Sequence, residues 1–555
     1  MTGNQADIGF SNKLSGKKTV LKAAGELFCS AHLLLMFGIY PFYMEKGYVD
    51  IGEAKYRFFI YCSLAAAAIL GAIGLCRYIQ VLRRRIRERE PYLIRWENFS
   101  ATDLFVALYA TEIFISYVLS DYRQEALWGT EGWHIGLVPL LTLCGLYFFI
   151  SRLWDGKAFI WYVSMAASAA VFLLGILDRF SIYIIPLEIR QPTFISTLGN
   201  INWFCGYLTV LAPVGIYIFL FSENERNNND SYLYKEKAKK QFAAGYTVIA
   251  FMAGFCQGSS SIFLFYGTLF FILLWISLEK RVWLANWSFL VCLWGLAAQL
   301  VRAMRHLLPD RYNYETDNLC GYLTDSNVTL VIGAAAFIIF LWLKKKNHDL
   351  ARGQKAEKEA DAGRKAKTAR RIMAFALAAG ILFWLILTGF HTWKSISDVA
   401  DVTGTSPFLF DENWGNGRGA ALKAGARMYT GMPLEKKLLG TGPDCFSAYA
   451  YSLPEVAGSL RENFGSERLT NAHNELFTGL INTGIMGVIL YLGIFVSFII
   501  RYAKKGDFYS RMAIVCILCY LAHNMVSFAQ VLNLPFVFLI MAMGERAMKL
   551  YSERS

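Results

Sequence analysis

Residues 187–213 read LEIRQPTFISTLGNINWFCGYLTVLAP, and the apolar run continues to Phe221. A polar loop gives way at Gly199–Asn202 to about twenty residues without a charge, the length a helix needs to cross the apolar core of a bilayer. Lipid offers no water to backbone N–H and C=O groups, so such a run must satisfy itself as a helix. Asn200 stands where a helix N-cap belongs. Arg190, just upstream, can present its guanidinium fork to an oxyanion beside exposed helix N–H groups.

The same alternation of polar loop and apolar run recurs along the chain. We read about fourteen spans, at residues 21–43, 58–82, 101–120, 135–151, 159–177, 201–221, 243–257, 261–278, 282–301, 328–343, 372–390, 485–500, 512–528 and 534–543. Residues 477–483 read as a re-entrant or interfacial segment. Composition agrees: of 555 residues, 55% are hydrophobic and 17% charged, against about 25% charged in an average soluble domain. The expected fold is an all-α polytopic membrane protein of about fourteen transmembrane helices, with a large extracytoplasmic loop before the last three. It divides into N-terminal helices (1–177), central helices with outer loops (178–390), the large loop (391–484) and C-terminal helices (485–555). The first apolar run lacks a small-residue cleavage site and is expected to be a retained helix.

Orientation follows from lysine and arginine. The segment 344–371 carries eleven basic and four acidic residues. With RRRIRERE (83–90) and KEKAKK (235–240), it is predicted to be cytoplasmic, as are both termini. Segment 391–476 has eight basic and ten acidic residues, which fits the outer side of the membrane. The net charge of +13 is thus a membrane-flanking charge, and nucleic-acid binding is excluded. Of eleven cysteines, most lie in apolar runs. Cys320 and Cys445 fall in predicted outer loops, where a disulfide is open to them. No His/Cys/Asp/Glu spacing fits a metal, so neither metal nor cofactor is expected.

Three polar segments carry candidate chemistry. The first holds Arg190, Asn200 and Asn202. The second, NWGNGRGAALKAGARMYTGMPLEKKLLGTGPDCF (413–446), has a glycine-rich stretch before an amphipathic helix at 420–429, with Arg418 between them. It lacks the Gly-Lys-Ser/Thr of a nucleotide P-loop. The third, RLTNAHNELFTGLINTGIMGVILYL (468–492), sets His473 between Asn471 and Asn474, with Glu475 next. Histidine is the side chain suited to general-base work near neutral pH, and Glu475 or an asparagine can fix its tautomer. On spacing alone, helix capping and surface solvation account for much of each segment. His32 and His523 fall in apolar helices, where neighbours satisfy them.

Taken together and in this order, the segments resemble the O-antigen ligase and polymerase family of bacterial membrane glycosyltransferases. The resemblance rests on Gly199–Asn202, Gly415–Gly425, Leu438–Phe446 and Ala472–Gly487. It implies that a glycan on a polyprenyl pyrophosphate is transferred outside the membrane to an acceptor hydroxyl on a glycan, a glycolipid or a protein, without nucleotide sugar or metal. His473 matches the family's proposed base. Arg190, Arg418 and Arg305 are the arginines expected at the pyrophosphate, with Asn200, Asn202, Asn474 and Glu475 around the substrate. Two departures stand out. The turn at 257–267 holds Ser259–Ser261 where the family carries Ser-Arg-Gly, so Arg302, Arg305 or Arg418 must replace that arginine. Leu422 and Gly425 stand where the family has Trp and Ala. A transporter or flippase of lipid-linked glycans, and a protein O-oligosaccharyltransferase, are the competing expectations; few charges lie within the helices and the polar segments collect on one side, which favours an enzyme.

Overall fold

The computed structural model describes residues 7–88, 99–187, 189–222, 230–313, 319–351, 356–397 and 408–554. The chain is a multi-helix bundle with a smaller polar cap. Every predicted span overlaps a helix. Among the described residues, nine helices are long and apolar enough to cross a membrane, and Leu137–Leu153, Ile262–Ser277 and Phe508–His523 are shorter apolar helices. The basic stretch 344–371 continues two of the long helices, Val328–Ala351 and Ala356–Ser397; residues 352–355 of it lie outside the described residues.

The helix Ile201–Phe221 stands at the centre. Every side chain from Phe204 to Phe221 is buried, so its lack of polarity serves protein packing rather than lipid contact. It packs on the helices Phe159–Arg179, Asp230–Cys256, Phe508–His523 and Leu534–Arg554. The predicted helix at 512–528 ends early. The helix stops at His523, and residues 524–533 run irregularly before the next helix begins at Leu534. Asn533 supplies a physical reason: its Oδ1 accepts from Gln530 N (2.9 Å) and its Nδ2 donates to Phe528 O (3.2 Å), bonds that an open backbone offers and a helix saturated with itself does not, and Asn524, Ser527 and Gln530 are buried beside it.

A short hairpin precedes the central helix, pairing Phe194 with Asn200 and Ile195 with Gly199. Arg179 fastens it. The buried guanidinium donates to Pro192 O (2.5 Å), Cys256 O (2.7 Å) and Gln257 O (2.8 Å), joining this hairpin to the turn that follows the Asp230–Cys256 helix.

Residues 408–474 form the cap together with the helix Glu475–Asn482. The cap has a hydrophobic core of its own, including Ala421, Met428, Phe446, Leu460, Leu469 and Ile481. Cys320 and Cys445 are free thiols, both buried. The Cys445 sulfur lies among Ser120, Tyr122 and Pro443, so the disulfide left open by the sequence does not form.

Candidate functional site

The helix end at His523 builds the site. When a helix stops, its last carbonyls lose their intrahelical donors and must find others. Here the turn that follows supplies them, with Asn524 N, Met525 N and Val526 N donating to Tyr520 O, Ala522 O and His523 O, and the carbonyls just past the helix, at 524–526, take donors from the cap. Glu475 N donates to Asn524 O (2.9 Å), Asn474 Nδ2 to Met525 O (2.9 Å), and Arg418 Nε to Val526 O (3.0 Å). Two residues on, the Phe528 ring meets the His473 imidazole edge to face, with centroids 5.5 Å apart. Three of the predicted site residues and the proposed base therefore converge on one five-residue strip.

Each side chain is aimed by local backbone chemistry. Gly415, Asn416 and Gly417 all have positive φ, a run that a chain of larger residues would not hold without strain. It splits the element Trp414–Gly431 and turns Arg418 back, so that Nη1 donates to Gly415 O (2.7 Å) while Nε reaches Val526. The turn Gly440–Gly442 docks on the end of the Glu475–Asn482 helix, with Thr441 N and Gly442 N donating to Ile481 O and Asn482 O, each at 2.9 Å. A Cβ on Gly440 would meet Asn482 O at 2.2 Å, so this close approach requires glycine. His473 itself has φ +49°, sparsely populated for a side chain of its size. Asn471 Oδ1 holds it there by accepting from His473 N (2.9 Å).

Asn474, not His473, caps the next helix, its Oδ1 accepting from Phe477 N (2.9 Å). Capping is therefore not the reason for a histidine at 473. The expected tautomer partners are otherwise engaged. Glu475 Oε1 accepts from Tyr491 (2.5 Å) and Tyr520 (2.7 Å), and Oε2 from Asn524 Nδ2 (2.5 Å). Among the described residues the His473 imidazole makes no hydrogen bond, which leaves both nitrogens for a substrate. Burial, and then the charge of Arg418, push this imidazole down from 6.5 to about 4. Burial pushes the Glu475 carboxyl up, against the pull of its three donors.

Arg418 opens onto a cavity of about 400 Å³ lined by Ser260, Ser261, Trp384, Trp414 and Val526 among others. The serine turn is thus brought to the arginine, and of the three arginines considered as replacements for the missing one, Arg418 is the one at this cavity. Arg302 donates to Asn327 Oδ1 (2.8 Å). Arg305 pairs with Asp325 (2.6 Å) and lies over the Tyr312 ring. Arg190 lies 3.6 Å from the centre of the Tyr183 ring, faces Asp178 at 3.6 Å and donates to Ile185 O. Asn200 Oδ1 accepts from Asn202 N (2.8 Å), capping the central helix. Arg302, Arg305, Arg190, Asn200 and Asn202 are not among the residues that line the Arg418 cavity.

Sequence reasoning passed over two contributors. His523 sits in an apolar run that reads as helix packing, yet its Nε2 lies 3.2 Å from Ser261 Oγ and its Nδ1 3.0 Å from Asn524 Oδ1. The strip 524–528 reads as helix in the sequence. Its signal was the polar residue at every third position from Asn524 to Asn533, followed by Pro535, a pattern foreign to a lipid-spanning helix.

Fold and site together define a multi-pass membrane protein whose polar cap seats an arginine and a histidine on a broken helix end. A family model described as O-antigen ligase matches residues 319–492. The match supports assignment of the chain to the O-antigen ligase family, and it contains Arg418, His473, Asn474 and Glu475 but not Arg190, Asn200, Asn202 or Arg305. No curated protein matches the chain.

Proposed function

We propose that this protein transfers a glycan from a polyprenyl-pyrophosphate donor to an acceptor hydroxyl at the extracytoplasmic face of the plasma membrane, in the assembly of cell-surface polysaccharide. The O-antigen ligase match supports a glycan-transfer enzyme. The observation that carries the finer reading is the convergence of Arg418 and His473 on residues 526–528, beside a cavity that Trp384 of the apolar Gly363–Ser395 span also lines. A prenyl tail would stay in lipid along that span while the diphosphate meets the guanidinium. Arginine keeps its charge there although burial lowers its proton affinity.

In this mechanism Arg418 stabilises the charge that gathers on the departing pyrophosphate. His473 accepts the proton of the acceptor hydroxyl as its oxygen bonds to the anomeric carbon and the sugar–phosphate bond breaks. Arg190, through Asp178 and Tyr183, and Arg305, through Asp325, hold the loops around this centre. The test is transfer by the purified protein from a polyprenyl-pyrophosphate glycan to a glycan or glycolipid acceptor. Arg418→Ala should lower it at least tenfold, and Arg418→Lys should fall nearly as far, because a point charge does not replace a planar fork. Unchanged turnover in Arg418→Ala would remove the pyrophosphate from this cavity.

A further inference from the structure

One wall of the Arg418 cavity leads into the protein through a chain of hydrogen bonds. Ser261 lines the cavity. Its Oγ lies 3.2 Å from His523 Nε2, 2.8 Å from Ser259 Oγ and 3.4 Å from Cys205 Sγ. His523 is wholly buried, and its Nδ1 lies 3.0 Å from Asn524 Oδ1. Asn524 Nδ2 then reaches Glu475 Oε2 at 2.5 Å.

The direction of each proton follows from the far end. Glu475 already takes the O–H groups of Tyr491 and Tyr520, so Asn524 faces it with its amide nitrogen and turns its oxygen to His523. An amide oxygen accepts only, so His523 Nδ1 carries a proton and donates it. Nε2 of the neutral ring is then a lone pair aimed at Ser261, and Ser261 must give its only proton inward. In that state Ser261 offers the cavity lone pairs, the wrong face for a phosphate oxygen. Protonation of His523 reverses this. Nε2–H donates to Ser261 Oγ, the imidazolium is bonded at both nitrogens, and the serine proton is free to turn into the cavity.

We propose that Ser261 is a further donor-phosphate contact and that His523 is its positioning residue, so that a diphosphate binding beside Arg418 draws a proton onto His523. The groups around the imidazole are Ser261, Ser259, Cys205, Asn524 and, through Asn524, Glu475. Arg418 faces the same cavity from the cap. A bound diphosphate brings negative charge to the cavity wall and offsets the Arg418 charge there. Binding of the anion and of the proton are therefore reciprocally linked. This rests on the reading of the cavity as the pyrophosphate site.

The experiment is calorimetry of geranyl pyrophosphate binding to the full-length protein in detergent, between pH 5.5 and 8, in buffers of different ionisation enthalpy. Those buffers report protons taken up. Wild type should take up more protons on binding than His523→Gln, by up to one, and Ser261→Ala should lose the same excess. Affinity of Ser261→Ala should fall about 10–100-fold at the acid end, the range for a hydrogen bond to a charged group, and little at pH 8. His523→Gln, whose amide nitrogen can donate to Ser261 at any pH, should bind at pH 8 nearly as wild type does at pH 5.5. His473→Gln should keep the excess uptake. Equal uptake by wild type, His523→Gln and Ser261→Ala, with binding still lost in Arg418→Ala, would overturn this inference alone. Full binding by Arg418→Ala would overturn the pyrophosphate site and the inference with it. Should His523→Gln not fold, Ser261→Ala carries the same readout.

Discussion

Replacing His473 tests the chemistry most directly. A positioned base contributes about 10²–10⁴ to rate, which at about 1.4 kcal/mol per decade is roughly 3–5.5 kcal/mol of barrier. His473→Ala should lose that much turnover. Its only hydrogen bond within the described residues is made by its backbone N–H, so folding and donor binding should survive. His473→Gln should do no better, since glutamine cannot take up a proton. The pH profile gives the sharper check. An unperturbed histidine would place the acid limb near 6.5, whereas burial and Arg418 place this one at about 4. A base is active when unprotonated, so kcat/KM for the free protein should hold from neutral pH down to about 5 and fall towards 4. A bound diphosphate offsets the Arg418 charge and raises the imidazole again, so the acid limb of kcat should lie above that of kcat/KM. Removing the positive neighbour in Arg418→Gln should raise the kcat/KM limb as well. The assay is steady-state transfer from a polyprenyl-pyrophosphate glycan by purified protein across pH 4–8. Full turnover by His473→Ala, or the same acid limb in His473→Gln as in wild type, would refute the base assignment.

Three further outcomes are expected. Gly440→Ala, with φ +80° and Asn482 O at 2.2 Å from the new Cβ, should part the Gly440–Gly442 turn from the Glu475–Asn482 helix; thermal melting should show a loss of about 1–3 kcal/mol, and transfer should fall with it. Asp444 Oδ2 accepts from Thr130 N (2.7 Å) and Ile135 N (3.0 Å), so Asp444→Ala should cost about 1–3 kcal/mol for stranded donors while Asp444→Asn keeps an acceptor. Burial raises this carboxyl from 3.8 to about 6, so the stability it contributes is full below pH 3.8 and is lost as pH rises through about 6; melting of Asp444→Asn should lack that dependence. Reporter fusions at Gly363 and Arg85 should read cytoplasmic and those at Ser459 and Thr193 external, and an external signal at Gly363 would invert the topology.

Much of this protein was determined by sequence alone because the signals are local. A long run without charge makes a helix in lipid whatever surrounds it, and every predicted span overlaps a helix. The glycines at 415, 417, 440 and 442 mark turns because positive φ is a property of a single residue. His473 and Arg418 could be singled out by type and setting. Their meeting could not, because 55 residues separate them and the contact passes through a third segment, 524–528, that belongs to neither. That segment was misread because a run of apolar residues carries a helical signal even where buried polar side chains break it. Arg190 was chosen for its place before the central helix, while the fold gives its guanidinium to Asp178 and Tyr183. His523 looked inert in an apolar run, and only the packing of Phe508–His523 against the Ser259–Ser261 turn gives it a hydroxyl at the cavity wall. Helices follow from near-neighbour chemistry; which helix end is left open, and which distant side chains fill it, is decided by how the whole bundle packs.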